Sequence, residues 1–377
     1  MKILILGGTG IISSEITSLA VLQGFDVSIV NRGRRKEFIN PKAKCIICDL
    51  KQDSIESICS KLDEHYDAVI DVVSYTDDVL KRNLEIAKDR CNQYIFFSTC
   101  VVYKTKTGRY TENDEIGNTS WLYSINKIKC EKLLIDEAES MNFKWTIVRP
   151  YITYGKTRIP LQFAPLEYYT IIERAKNKKV VPVLNRDVKC TLTSSKDFAV
   201  GLVGLVNNSR AFNQSFNIVG NYETTWNEVL SNTMNAFDIS LDIIGLDDSI
   251  FKNQKLMNGI NFSEVVGDKG RDMLFDNNKI RSVVPSFSGE TGYLDILSEI
   301  VGYFSDESHQ KVNYAWDARV DCMLSKTKLL TKEQKKHLVF HRNSHSTLSD
   351  RLIYFFHRYD STYFIYQVYS KIKHVFK

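Results

Sequence analysis

No uninterrupted apolar stretch in the 377-residue chain approaches the roughly 20 residues that a membrane-spanning helix requires. Neither a spanning segment nor a secretory leader is therefore expected. The cysteines lack the grouping of a disulfide framework. Eight are scattered, at 45, 48, 59, 91, 100, 130, 190 and 322, mostly inside apolar stretches, as suits reduced thiols. Cys45 and Cys48 form a CxxC within "KCIICDL", but no second pair exists to complete a zinc site, so the segment reads as a buried strand and no metal is expected. Charge of one sign is also lacking over most of the length. The net charge is +5, yet residues 331–377 hold nine Lys and Arg against three Asp and Glu, which leaves −1 for the rest. A neutral body offers no basic face for nucleic acid, so none is expected as a partner. There is no internal repeat and no low-complexity segment. These absences point to a cytoplasmic, soluble protein.

The 43% hydrophobic content is enough to bury one large core or two smaller ones, and two lobes are expected. Apolar runs at 2–6, 26–30, 43–50, 67–74, 93–99 and 145–150 read as strands. Helical spacing separates them at 11–22, 54–64, 77–90 and 120–141. Strand and helix alternating in this way predict an α/β protein with a Rossmann-type, doubly wound parallel sheet over residues 1–156. From 157 to 330 the connections lengthen, with strands at 180–184 and 215–220 and helices near 196–206 and 225–236. This region is expected to form a smaller substrate lobe that returns to the sheet. Residues 331–377 are expected to form a basic, aromatic C-terminal extension.

Ligands of such sheets sit beyond the carboxyl ends of the strands, which directs attention to the residues just after each run. "ILGGTGIIS" at 5–13 places glycines between a strand and a helix, where the backbone must turn sharply and let a pyrophosphate approach the helix N-terminus. Ser13 stands where a further small Gly or Ala is usual. "YSINK" puts Tyr123 and Lys127 four residues apart, on one face of the 120–141 helix. An ammonium beside a phenol favours the phenolate and makes it a usable base. The bare pattern recurs at Tyr369 and Lys373, but only the first copy follows "FFSTCVVY", where Ser98 and Thr99 leave the end of a strand.

With these pieces in order the chain resembles an extended short-chain dehydrogenase/reductase, of the nucleotide-sugar epimerase, dehydratase and reductase group. The resemblance runs over roughly residues 1–325, through GGTGII, Asp49-Leu50, STCVVY, YSINK, RPYITYG (149–155), TSSKDFA (193–199), FNIVG and FDNNKI (275–280). It implies Thr99 as the catalytic hydroxyl, Tyr123 as the acid/base and Lys127 as the partner that lowers the phenol's pKa. It further implies a dinucleotide held by Gly7, Thr9, Gly10, Ile11, Ile12, Asn31, Arg32, Asp49, Leu50, Ser74, Lys127 and Pro150. Gly7, Gly10 and Ile11 border the pyrophosphate in this scheme, Asp49 the adenine and Lys127 the nicotinamide ribose.

After the second strand an NAD enzyme usually offers an acidic residue to the adenosine ribose, whereas this chain has Asn31-Arg32-Gly33-Arg34-Arg35. Guanidinium groups suit a 2′-phosphate, so NADP is expected, with NAD as the alternative. Dehydratases of the group carry Asp-Glu directly after the catalytic threonine. Here Cys100 and Val101 stand instead, and no histidine occurs between His65 and His309 to serve carbanion epimerisation. The expected reaction is C4 epimerisation of a nucleotide-sugar through a transient 4-keto intermediate, or reduction of a nucleotide-linked keto-sugar. A rival class is a non-catalytic dinucleotide sensor or RNA binder, against which Thr99, Tyr123 and Lys127 speak.

Arg186, Lys269 and Arg271 are the basic residues expected against the substrate's diphosphate. In the tail, His337, His341 and His345 recur every four residues, but no nearby carboxylate or cysteine supports a metal there. The tail's ten aromatics, from Phe340 to Phe376, are expected to pack on the body or at a homodimer contact. The alternative is a peripheral contact with an anionic membrane or a partner protein.

Overall fold

The computed structural model describes the backbone of residues 1–375 and the side chains of residues 1–370. Phe376 and the side chain of Lys373, both noted above, lie outside the described set. The chain divides into two units interleaved in sequence. The first comprises Met1–Gly155, Lys189–Thr224 and Arg271–Asp295, and the second Lys156–Val188, Thr225–Gly270 and Ile296–Lys377.

The first unit is built on a seven-stranded, wholly parallel sheet. Its first five strands are β1 (Lys2–Leu6), β2 (Asp26–Asn31), β3 (Lys44–Ile47), β4 (Tyr66–Asp71) and β5 (Cys91–Phe97). They lie side by side in the order β3-β2-β1-β4-β5, followed by Lys144–Pro150 and Gln214–Ile218. The inner strands β1, β4 and β5 are almost wholly buried because both faces are covered, and successive side chains go to opposite cores. Ile3 and Ile5 enter one core with Ile16 and Ala20 of helix α1 (Ile11–Leu22), together with Phe198 and Leu202. Leu4 and Leu6 enter the other. There they meet Leu80 and Leu84 of α3 (Asp77–Ala87) and Cys130 and Leu134 of α4 (Leu122–Ala138). Between β3 and β4, α2 (Ile55–Cys59) is shorter than the 54–64 expected. The chain turns after Ser60, and the Asp63 amide donates to the Tyr66 hydroxyl at 3.0 Å. The expected returns to this unit appear as Gln214–Ile218 and as a second, three-stranded sheet of Ile152–Tyr154, Lys189–Ser194 and Tyr222–Thr225.

The second unit pairs Val181–Leu184 in parallel with Ile243–Leu246 and is otherwise mainly helical. Its interior holds a buried ionic cluster. Arg174 and Lys179 each bond both Asp317 and Asp321, with all four side chains almost inaccessible. The tail closes this cluster, because the Tyr354 hydroxyl donates to Asp321 at 2.5 Å. Tyr354 also packs with Tyr314, Ala318 and Phe340. Thus Phe340 and Tyr354 of the tail pack on the second unit's body, one of the two placements expected for the tail's aromatics. The histidine triplet is not a helical stripe: the helix Lys332–Lys336 ends at His337, and His341 and His345 follow it outside any helix. No metal-binding cluster occurs among the described residues. Among them, no helix is long and apolar enough to cross a membrane.

Candidate active site

β1 lies between β2 and β4, so the strand order reverses beside it and leaves a crevice past its carboxyl end. The glycine loop fills that position. Gly7 has φ +122°, and a Cβ there would stand 2.5 Å from Val72 Cγ2; one on Gly8 would stand 2.9 Å from Ile29. Only a backbone without side chains fits this turn. Gly10 then opens α1 with no capping side chain of its own, and its amide is bonded by Ser13 Oγ at 2.9 Å. The serine at the unusual position therefore braces the loop from within the helix.

In front of the loop is a cavity of about 380 Å³. Gly7, Thr9, Asn31, Arg32, Asp49 and Leu50, all expected at the cofactor, line it. Arg34, Arg35, Lys51 and Tyr75 line it as well. Asn31 Oδ1 accepts the Gly33 amide at 2.7 Å, which folds the basic loop back over the end of β2. Arg35 lies over the Phe38 ring, 4.3 Å from its centroid. Asp49 Oδ1 accepts the Lys51 amide at 3.0 Å. A tight glycine turn, an uncapped helix N-terminus and a cavity with basic residues at one end fit a dinucleotide.

The other six residues expected at the cofactor, Gly10, Ile11, Ile12, Ser74, Lys127 and Pro150, do not line this cavity. Ile11 and Ile12 begin α1, with Ile12 packed against the core behind the loop, and Pro150 ends its strand half-buried. Ser74 is fully buried beyond β4. Its hydroxyl donates to Asp71 at 2.5 Å, and the same carboxylate accepts from Asn83 and from Tyr94. This knot fixes the Ser74 carbonyl. The Lys127 ammonium donates to that carbonyl at 2.7 Å and to the Phe97 carbonyl at 2.5 Å. Two of its three protons are so held, at the carboxyl ends of β4 and β5. Burial pushes the Lys127 pKa down to about 8, against the pull of Asp71.

Tyr123 sits in the first turn of α4, near the positive end of the helix dipole, with the Lys127 nitrogen 6.0 Å from its ring centre. Trp121 and Tyr75 flank its ring, at 4.8 and 6.2 Å between centroids. Thr99 is buried at the end of β5, and its hydroxyl accepts the Val101 amide at 3.3 Å. The neighbouring Ser98 hydroxyl is buried with no hydrogen-bond partner among the described residues. Asp71 and Tyr75 were not anticipated. The available signal was an acid at a strand's end three residues before a serine in "DVVSY".

Other candidates have partners of their own. Cys100 is wholly buried and its thiol donates to the Arg149 carbonyl at 3.1 Å. Arg149 is committed to Glu131 and the Tyr103 hydroxyl. In the second unit, Arg186 pairs with Asp248 and the Gly270 carbonyl, and its side chain is partly exposed. Lys269, in the same unit, is buried against the Leu161 carbonyl, Glu264 and the Trp226 ring. Arg271, in the first unit, bonds Thr105 and the Tyr103 carbonyl.

Comparison with known proteins gives a family model, described as the NAD dependent epimerase/dehydratase family, that matches residues 3–219. Among curated proteins, the chloroplast stem-loop binding protein of 41 kDa b from Arabidopsis thaliana is 27% identical over 239 residues. That match covers 60% of this chain and 60% of the relative, so less than two thirds of the relative's length is spanned. UDP-glucuronic acid 4-epimerase from Bacillus cereus, solved with NAD, matches with a TM-score of 0.64 at 16% identity, over 81% of this chain and 99% of that one. Epimerase Mth375 from Methanothermobacter thermautotrophicus gives 0.67 at 14%, over 81% and 93%. MoeE5 in complex with UDP-glucose and NAD gives 0.63 at 16%, over 82% and 100%. At such identities the structural likeness establishes the fold.

Proposed function

The chain belongs to the NAD dependent epimerase/dehydratase family, and we propose that within it this protein inverts C4 of a nucleotide-linked sugar through a transient 4-keto sugar, using NADP. The observation that carries this reading is the pairing of Tyr123 and a seated Lys127 with the absence of any other proton-transferring group in the turn after Thr99. Val101 has no proton to move, and the Cys100 thiol is directed at the Arg149 carbonyl. Elimination of water or proton abstraction from carbon would need such a group; oxidation and reduction at C4 do not.

A nicotinamide held by the glycine loop would supply hydride transfer at C4 in both directions. Tyr123 removes the proton of the 4-hydroxyl and later restores it. With its pKa near 8, Lys127 remains mostly charged at neutral pH and, with the α4 N-terminus, favours the phenolate. The Thr99 hydroxyl holds the same sugar oxygen. The loop from Gly7 to Ile12 receives the pyrophosphate, and Asp49 and Leu50 the adenine. Of the basic residues expected at the sugar-nucleotide diphosphate, Arg186 and Arg271 stay in this proposal, while the Lys269 ammonium is already enclosed by Leu161 and Glu264.

The test is to identify the nucleotide released on denaturing the purified protein and to follow C4 configuration by NMR with UDP-sugars. Inversion with no net change in nicotinamide absorbance supports epimerisation. Stoichiometric loss of NADPH absorbance with a keto-sugar would replace it by reduction. The preference for NADP rests on Arg32. In Arg32→Ala, NADPH affinity is expected to fall about tenfold or more, the worth of a charged hydrogen bond, with NADH affinity nearly unchanged. Equal losses in a fluorescence titration would make Arg32 a bystander. A second reading, stem-loop RNA binding, is favoured by the name of the chloroplast relative. A mobility shift with a labelled RNA hairpin, surviving Tyr123→Phe and present without sugar turnover, would establish it instead.

A further inference from the structure

The last two helices of the second unit are apolar on the side that faces solvent. On Leu348–Arg358, the buried side carries Tyr354 and His357. The opposite side carries Leu348 at 74% exposure, Leu352 at 50% and Phe355 at 50%, with Tyr359 just beyond the helix. Spacings of four, three and four residues align them in one stripe. The next helix, Asp360–Val375, continues with Phe364 at 66%, Ile365 at 59%, Val368 and Tyr369. A surface helix in water normally turns polar residues outward, and a helix apolar on both sides is normally covered.

Charge decides what covers it. Residues 331–377 carry a net +6, and their acidic groups are engaged locally. Glu333 pairs with Lys336, Asp350 accepts the Thr347 amide at the helix start, and Asp360 pairs with Arg319 and Lys326. Arg342 and Arg351 are exposed and form no ion pair among the described residues. We propose that this face docks on an anionic lipid bilayer, with Leu352, Phe355, Phe364 and Ile365 entering the headgroup boundary and the basic residues meeting lipid phosphates. A second copy is the poorer occupant. A twofold contact would set this basic segment against itself, whereas the bilayer supplies the opposite charge. Nucleic acid would satisfy the arginines but not the apolar stripe. Since no helix among the described residues is long and apolar enough to span, the contact is one of lying on the surface.

The experiment is flotation of the full-length protein with phosphatidylcholine vesicles, with and without phosphatidylglycerol. Flotation is expected only with the anionic lipid and should weaken with salt. The double variant Phe364→Glu with Ile365→Glu should lose it, and so should Leu352→Glu on the other helix. Arg351→Glu should lower the vesicle partition constant about fivefold or more, from the roughly 1 kcal/mol each basic residue contributes near such a surface. Thermal melts matching the parent show that the variants remain folded. The proposal is overturned by failure of the parent to float with phosphatidylglycerol, or by folded variants that float unchanged. It is equally overturned if sedimentation shows the parent as a dimer that never floats and the variants as monomers.

Discussion

Tyr123→Phe is expected to lower sugar turnover by about a hundredfold to ten-thousandfold, the usual contribution of a positioned acid/base, while cofactor affinity changes little. The hydroxyl that is lost belongs to the first turn of α4, whereas the pyrophosphate is proposed to rest on the loop between β1 and α1. The ring remains, so its packing with Trp121 and Tyr75 is kept and the variant should fold. Lys127→Met should differ in a diagnostic way. It removes the ammonium from the Ser74 and Phe97 carbonyls and so disturbs both the phenol's ionisation and the proposed ribose contact. Its cofactor affinity should drop along with its rate. Steady-state kinetics and a dinucleotide titration on both variants separate these effects. Full activity in Tyr123→Phe would dismiss the mechanism.

The sheet and its glycine turn were legible because buried parallel strands write themselves as short apolar runs at regular intervals. β1, β2, β4 and β5 fall within a few residues of their expected limits, and the crevice beside β1 follows from the strand order. What the sequence hid was long-range pairing of polar residues. Lys269 looks like a ligand-binding cation in a string of letters; in the fold its ammonium donates to the Leu161 carbonyl, 108 residues away in sequence, and Arg149 likewise faces Glu131, 18 residues away. Asp71 escaped notice for the same reason. Its partners Ser74, Asn83 and Tyr94 sit on three different elements, and only the fold converges them under the Lys127 ammonium. In the tail, the density of aromatics was enough to expect packing on the body, but not that the Tyr354 hydroxyl would reach Asp321, 33 residues away.

That core yields the second large effect. Asp321→Ala should destabilise the protein by about 3–5 kcal/mol, the cost of leaving buried charge uncompensated. The substitution leaves Arg174 and Lys179 facing only Asp317, and strips the Tyr354 hydroxyl of its acceptor. Burial alone would raise the Asp321 pKa, but Lys179 and Arg174 outweigh it and hold the carboxyl below its ordinary 3.8. A depressed carboxylate contributes stability that is complete above the ordinary value and lost as pH falls through the folded one. The parent should therefore lose this contribution below about pH 4, the ordinary carboxylate range, and Asp321→Ala should show a flatter acid limb. Urea titrations across acidic pH measure both. Tyr354→Phe removes one of three partners and should cost only about 1 kcal/mol, whereas ending the chain before Thr347 removes the aromatic cover as well. The truncated protein is expected to unfold more readily than Tyr354→Phe, through loss of the second unit's packing. If Asp321→Ala instead melts like the parent, water reaches the cluster and the tail is not its lid.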